Sequence, residues 1–299
     1  MRLVVSGTSG LIGTATRARL AVHHDVATLG RRKGCDFVAD LSDPDAVAAL
    51  DFSGIDALVH CAGVVDEDFV ADPGRAFRQA TFGASKLVER AIAGGAKRIA
   101  YVSSAHTYGP MVGRVDEASP PNPLTDYAIA HFATEQVFRR AADKVEAAAL
   151  LRPCAVFGIP PDLDGFRRWG LAPFAFPRRA VLEGRVELGS SGDQRRNFVA
   201  ASDVADVIAY WLENGAGVQA LNPVGASSMS VWDFTQLCAR EAEAVTGRPC
   251  VTVRRESAGR TAGDDFEYES RHPFCQGTAD LSKTVHALAR AIADKGLTA

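Results

Sequence analysis

The sequence predicts an α/β fold built on a doubly wound parallel sheet, with a second, smaller lobe. Three observations carry that prediction. In the first half, short apolar runs alternate with longer segments of helical period, as βαβ chains do. The apolar runs are continuous in Val, Ile, Leu and Ala rather than alternating with polar residues, which suits strands covered by helices on both faces. A cluster of glycines follows the first run directly.

Taken in order, strands are expected at Leu3–Ser6, Val26–Leu29, Phe37–Ala39, Ala57–Cys61, Arg98–Ser103 and Ala147–Leu151. Helices between them are expected at Leu11–Val22, Pro44–Leu50, Pro73–Ala93 and Thr125–Asp143. Asp43 before Pro44 pairs an N-cap with proline at the first helical position. After Arg152-Pro153 the rhythm loosens, and the Gly/Pro mixture of residues 157–190 predicts long loops and short helices. A strand near Asn197–Ala200, a helix at Asp203–Asn214 and a short strand ending near Asn222 follow. The tail from Ser230 reads as helical, with a polar interruption at residues 254–279. Residues 1–155, completed by about 195–225, should form the main domain, and residues 156–194 and 226–299 the smaller lobe.

The 299 residues are 47% hydrophobic and 23% charged with a net charge of −3, a globular composition without a nucleic-acid or polybasic membrane footprint. The six cysteines are scattered, with no Cys-x-x-Cys pair and no zinc spacing, so a reducing compartment and no metal site are expected. A membrane span needs about 20 apolar residues, and neither such a run nor a signal-peptide core is present. A cytoplasmic location is the expectation.

Gly7-Thr8-Ser9-Gly10-Leu11-Ile12-Gly13 links the first strand to the first helix. It sets backbone N–H groups and a helix N-terminus where a pyrophosphate can sit, without side chains in the way. Gly13 would let the helix pack closely on the strand. In dinucleotide folds an acid at the end of the second strand binds the ribose hydroxyls of NAD, whereas arginine accepts the 2′-phosphate of NADP. Here that place is Gly30, followed by Arg31, Arg32 and Lys33. NADP is therefore favoured, with NAD left open.

With Ser104 after the fifth strand and Tyr127 on the next long helix, the Gly-x-x-Gly-x-x-Gly spacing resembles the extended short-chain dehydrogenase/reductase superfamily. Within it the chain looks like the nucleotide-sugar epimerases and dehydratases, over most of its length. The resemblance implies a Rossmann domain, a substrate-binding lobe, and NAD(P)-dependent oxidation or epimerisation of a sugar or nucleotide sugar. It implies that Ser104 hydrogen-bonds the reacting oxygen and that Tyr127 is the acid/base. Cofactor contacts would come from Gly7, Ser9, Gly10, Leu11, Ile12 and Gly13, from Asp40 and Leu41 after the third strand, from Cys61, Ala62 and Gly63 after the fourth, and from Pro153. Arg196, in Asp193-Gln194-Arg195-Arg196-Asn197-Phe198, lines up with an arginine that touches the substrate diphosphate, and His106 sits at the expected pocket mouth. A homodimer through the helices at 73–93 and 125–143 is also implied.

The chain departs from the pattern at several places. The family's lysine four residues after the tyrosine is replaced by His131, on the same helix face. A protonated His131 would supply the missing charge in a pH-dependent way. The family's asparagine before the fifth strand is replaced by Thr81. The dehydratases' Asp-Glu pair is replaced by Ala105-His106, which argues against dehydration, and the substrate-lobe asparagine by Ala155, which weakens the case for an ordinary UDP-sugar epimerase. A dinucleotide-binding protein without turnover, acting as a sensor or scaffold, is the competing reading.

Overall fold

The computed structural model describes residues 1–256 and 262–296. Part of the polar interruption expected at residues 254–279 thus lies outside the described residues. The strands in the first half are β1 (Arg2–Ser6), β2 (Asp25–Gly30), β3 (Phe37–Val38), β4 (Ala57–His60), β5 (Arg98–Val102) and β6 (Arg114–Val115). Those that follow are β7 (Ala147–Leu151), β8 (Ala155–Phe157), β9 (Arg185–Glu187), β10 (Arg195–Ala200), β11 (Gly217–Leu221), β12 (Ser227–Ser230), β13 (Val251–Val253) and β14 (Glu267–Tyr268). Seven of them form one parallel sheet in the order β11-β7-β5-β4-β1-β2-β3. This is the doubly wound arrangement, with the reversal of strand order between β1 and β4.

The continuous apolar runs are explained by burial on both faces. Leu3 and Val5 point to one side of β1, where Val204, Ile208 and Trp211 cover them. Val4 points to the other, beside Leu87, Ala91 and Phe138. The covering helices are α1 (Leu11–Leu20), α2 (Pro44–Ala48), α3 (Asp66–Ala71), α4 (Pro73–Arg78), α5 (Ala84–Gly94), α6 (Asp126–Arg140) and, further on, α8 (Ala201–Asn214). Asp43 caps α2 as expected, its side chain accepting from the Asp45 and Ala46 N–H groups. Away from the large sheet, α7 (Ala172–Glu183), α9 (Val231–Thr246) and α10 (Leu281–Lys295) pack around Phe174, Phe198, Phe234 and Leu288. β10 joins β8 and β12 in a separate three-stranded sheet, whereas β11 joins the large one.

Two local expectations change. The single helix expected over Pro73–Ala93 is interrupted at Gln79–Gly83 by a π-turn. There Thr81 donates to the Phe77 carbonyl, and Thr134 of α6 donates to the Ala80 carbonyl at 2.7 Å. Gly83 then passes so close to Leu41 that a Cβ would lie 1.8 Å from its carbonyl oxygen. The Gly/Pro stretch at 157–190 contains a full helix, α7, because Pro173 sits in its first turn and Gly184 ends it with φ +62°. No helix among the described residues is long and apolar enough to cross a membrane.

Candidate active site

β1, β4, β5 and β7 all end at one edge of the large sheet, and the chain leaves them through Gly7, Cys61, Ser103 and Arg152. A cleft of about 1050 Å³ opens there, lined also by residues of α7 and the loop before it. Gly7 has φ +74°, and a Cβ on it would sit 2.7 Å from the Ala62 nitrogen. A Cβ on Gly13 would meet the Gly7 carbonyl oxygen at 2.1 Å, so the strand–helix contact itself requires both glycines. Gly10 differs, since the nearest protein atom to its Cβ position is 3.4 Å away. A side chain there would fit the protein but occupy the cleft. Gly10 also caps α1 without a side-chain hydrogen bond, so the first-turn N–H groups keep no side-chain acceptor. An open cradle of this kind fits the pyrophosphate of a dinucleotide.

Ser9, Gly10, Leu11, Ile12 and Gly13 line the cleft, as do Arg31, Arg32, Cys61, Gly63 and Pro153. Gly7 and Ala62 lie just beneath, as the packed floor. Asp40 and Leu41 are not on the lining. The Asp40 carboxylate accepts from Ser42 and is paired with Arg75, while the Leu41 backbone packs on Gly83. Near the end of β2 the carboxylate is that of Asp36, and it is committed to the Thr28 N–H at 2.8 Å and hydroxyl at 2.7 Å.

Ser104, Tyr127 and His131 line the same cleft. Thr125 starts α6 by accepting from the Ala128 N–H, which puts Tyr127 in the first turn. Burial raises Tyr127 above the usual phenol range, opposed by a hydrogen bond with Ser104 and by the charge of Arg168. His131 lies one turn on, its ring 4.4 Å from that of Tyr127, as the spacing predicts. His106 stands edge-on to Tyr127 at 5.8 Å, and Arg196 reaches the same lining. Burial, Arg196 and Arg168 lower the His106 imidazole.

The charge expected of His131 is not there. Its ring is 3% exposed and both nitrogens are engaged. Nε2 lies 3.2 Å from the Val64 carbonyl oxygen, which can only accept, so Nε2 carries the proton. Nδ1 therefore accepts from the Tyr101 hydroxyl at 2.7 Å. Burial pushes its pKa down to about 4, which leaves the imidazole neutral at physiological pH. Thr81 likewise spends its hydroxyl on its own helix.

Sequence reading missed two parts of this site. Beneath it, Glu135 of α6 binds Arg152 at 2.6 and 2.9 Å and accepts from Ser103 at 2.7 Å, fixing the ends of β5 and β7 against α6. On the lining of the same cleft, the loop before α7 brings Arg167 and Arg168 to Asp66, Glu67 and Asp68 of α3. A basic doublet and an acidic run were the available signals, but their pairing about a hundred positions apart is a tertiary fact.

Fold and site together define a doubly wound α/β protein with a glycine cradle, Ser104 and Tyr127 on one cleft. The sequence matches the model of the NAD dependent epimerase/dehydratase family over residues 3–222, and the chain belongs to that family of enzymes. It is 26% identical over 246 residues to GDP-6-deoxy-D-mannose reductase of Pseudomonas aeruginosa, covering 80% of this chain and 79% of that one. The structure of UDP-glucose 4-epimerase from Thermotoga maritima with UDP-glucose is similar with a TM-score of 0.79, at 20% identity and over 99% of both chains. RMD from Pseudomonas aeruginosa complexed with NADPH is similar with a TM-score of 0.76, at 20% identity, over 98% of this chain and 99% of that one.

Proposed function

We propose that the protein is an NAD(P)-dependent oxidoreductase or epimerase acting on a sugar or nucleotide sugar. The observation that carries this reading is that Ser104 and Tyr127 line the same cleft as the glycine cradle. Gly7 to Gly13 would hold the pyrophosphate, and Arg31 and Arg32 the 2′-phosphate of NADP. When bound, the dinucleotide gives or takes the hydride. Tyr127 moves the proton at the reacting oxygen, and Ser104 polarises that oxygen by donating to it. Ser104 is held for this role by the backbone around it, since it caps the short helical turn Ala105–Tyr108. Arg196 and His106, both on the lining, would contact the substrate. Alanine at 105 and histidine at 106 leave no carboxylic acid at those positions for dehydration. The relatedness to a deoxysugar reductase and the likeness to a UDP-glucose epimerase support a sugar substrate.

A screen of sugars and nucleotide sugars with NADPH, NADP, NADH and NAD, read by nicotinamide absorbance and by product chromatography, should find turnover. Tyr127→Phe should then lower kcat by about 10²- to 10⁴-fold, the usual worth of a positioned acid/base, with cofactor affinity nearly unchanged. Full activity in that variant would remove Tyr127 from the mechanism. Tight dinucleotide binding with no turnover on any substrate would favour the sensor or scaffold reading, which the neutral His131 supports.

A further inference from the structure

We propose that Arg168, on the loop before α7, supplies at Tyr127 the positive charge that residue 131 does not, and so favours the phenolate form needed for proton abstraction. This rests on the acid/base reading of Tyr127 and adds a positioning residue to it. The guanidinium carbon of Arg168 lies 5.9 Å from the centre of the Tyr127 ring. Its terminal nitrogens reach Asp66 at 3.3 Å and Glu67 at 3.6 Å, at the start of α3. Its Nε is buried with no hydrogen-bond partner among the described residues, so the head group is not wholly committed to α3. Arg167 reaches Asp68 at 3.2 Å. The two arginines tie the loop before α7 to α3, with Arg168 beside the Tyr127 ring.

The groups that face Tyr127 come from four places. From α6 comes His131, neutral, with Tyr101 behind it. From the segment after β5 come Ser104, on the same lining, and His106, whose imidazole is lowered by burial and by the charges of Arg196 and Arg168. From α3 come Asp66 and Glu67, whose charges oppose a phenolate. From the loop comes Arg168, whose charge favours one. Coulomb's law at this separation and an effective dielectric of about 20 corresponds to about a hundredfold change in phenol ionisation. Pairing with two carboxylates reduces the expected effect to about tenfold.

The phenolate absorbance of cofactor-free protein is titrated in the wild type, Arg168→Gln, Arg168→Lys and Asp66→Asn/Glu67→Gln, with Tyr127→Phe subtracted to isolate one ring among the five tyrosines. Arg168→Gln should lower the ionisation constant of Tyr127 about tenfold, and Arg168→Lys should restore most of it. The α3 double variant should raise it, a reversal of sign that a merely structural role does not give. The pH–rate profile of kcat/KM should move in the same directions. Arg168→Gln protein that is folded by circular dichroism and titrates like the wild type overturns the proposal. If that variant does not fold, an unchanged or weakened ionisation in the α3 double variant overturns it. Wild-type turnover in Tyr127→Phe would instead remove the acid/base reading, and the titration still decides whether Arg168 acts on the ring.

Discussion

His60 and His131 are both buried and uncharged, so the folded protein resists protons that the unfolded chain accepts. His60 is 2% exposed, with Nδ1 2.7 Å from the Ser6 hydroxyl oxygen, and burial pushes its pKa down to about 3. His131 is pushed down to about 4. Unfolded histidine titrates near 6.5. Because both folded values lie below the unfolded one, their stabilising contribution is complete above about pH 6.5 and is lost as pH falls from there toward 4. At pH 5 the loss is about 2 kcal/mol for each histidine and about 4 kcal/mol for the pair, relative to neutral pH. Carboxylates held below their usual range, such as Asp36 and Asp40, give up their contribution only below about pH 4, so the window above it belongs mainly to histidine. The assay is urea unfolding at neutral pH and at pH 5 for the wild type, His131→Gln and His60→Asn. Each amide can keep a hydrogen bond without titrating, so each variant should show a pH-dependent loss smaller by about 2 kcal/mol. Equal losses in all three proteins would refute the assignment of neutral buried histidines.

The Arg31→Ala/Arg32→Ala protein should bind NADPH about 10- to 100-fold more weakly while its NADH affinity changes little, as expected for lost charge-assisted contacts to a phosphate. Calorimetric titration with both cofactors decides this, and an equal effect on the two would count against NADP preference. Glu135→Gln should destabilise the fold by about 3–5 kcal/mol, because Arg152, 2% exposed, would be left as a buried charge without its partner. Urea unfolding measures it, and a loss below about 1 kcal/mol would mean that the pair is not structurally important.

Much of this molecule is local in sequence. The strands of the large sheet up to β7 were legible because burial on both faces requires continuous apolar runs, and each run is itself the signal. The glycine turn was legible because a close strand–helix contact excludes a Cβ at Gly7 and Gly13. Ser104 and Tyr127 were legible through the family resemblance of their segments, after β5 and on α6. Less regular parts were harder to read. The two-residue strands β6 and β14 pair with each other across about 150 positions, too far apart and too short to leave a pattern. The π-turn depends on Thr134 of another helix.

For the site, the sequence determined which side chains are present and the helical face that sets Tyr127 beside residue 131. Tertiary structure alone decided their charge. The protonation state of His131 follows from Tyr101, 30 positions before it, and Val64, 67 positions before it, which close around the ring and exclude water. The cation near Tyr127 arrives on a loop held to α3 by ion pairs that span 99 to 102 positions. Ionisation depends on desolvation and on charges within a few ångströms, and sequence spacing carries that information only when the neighbours are also neighbours along the chain.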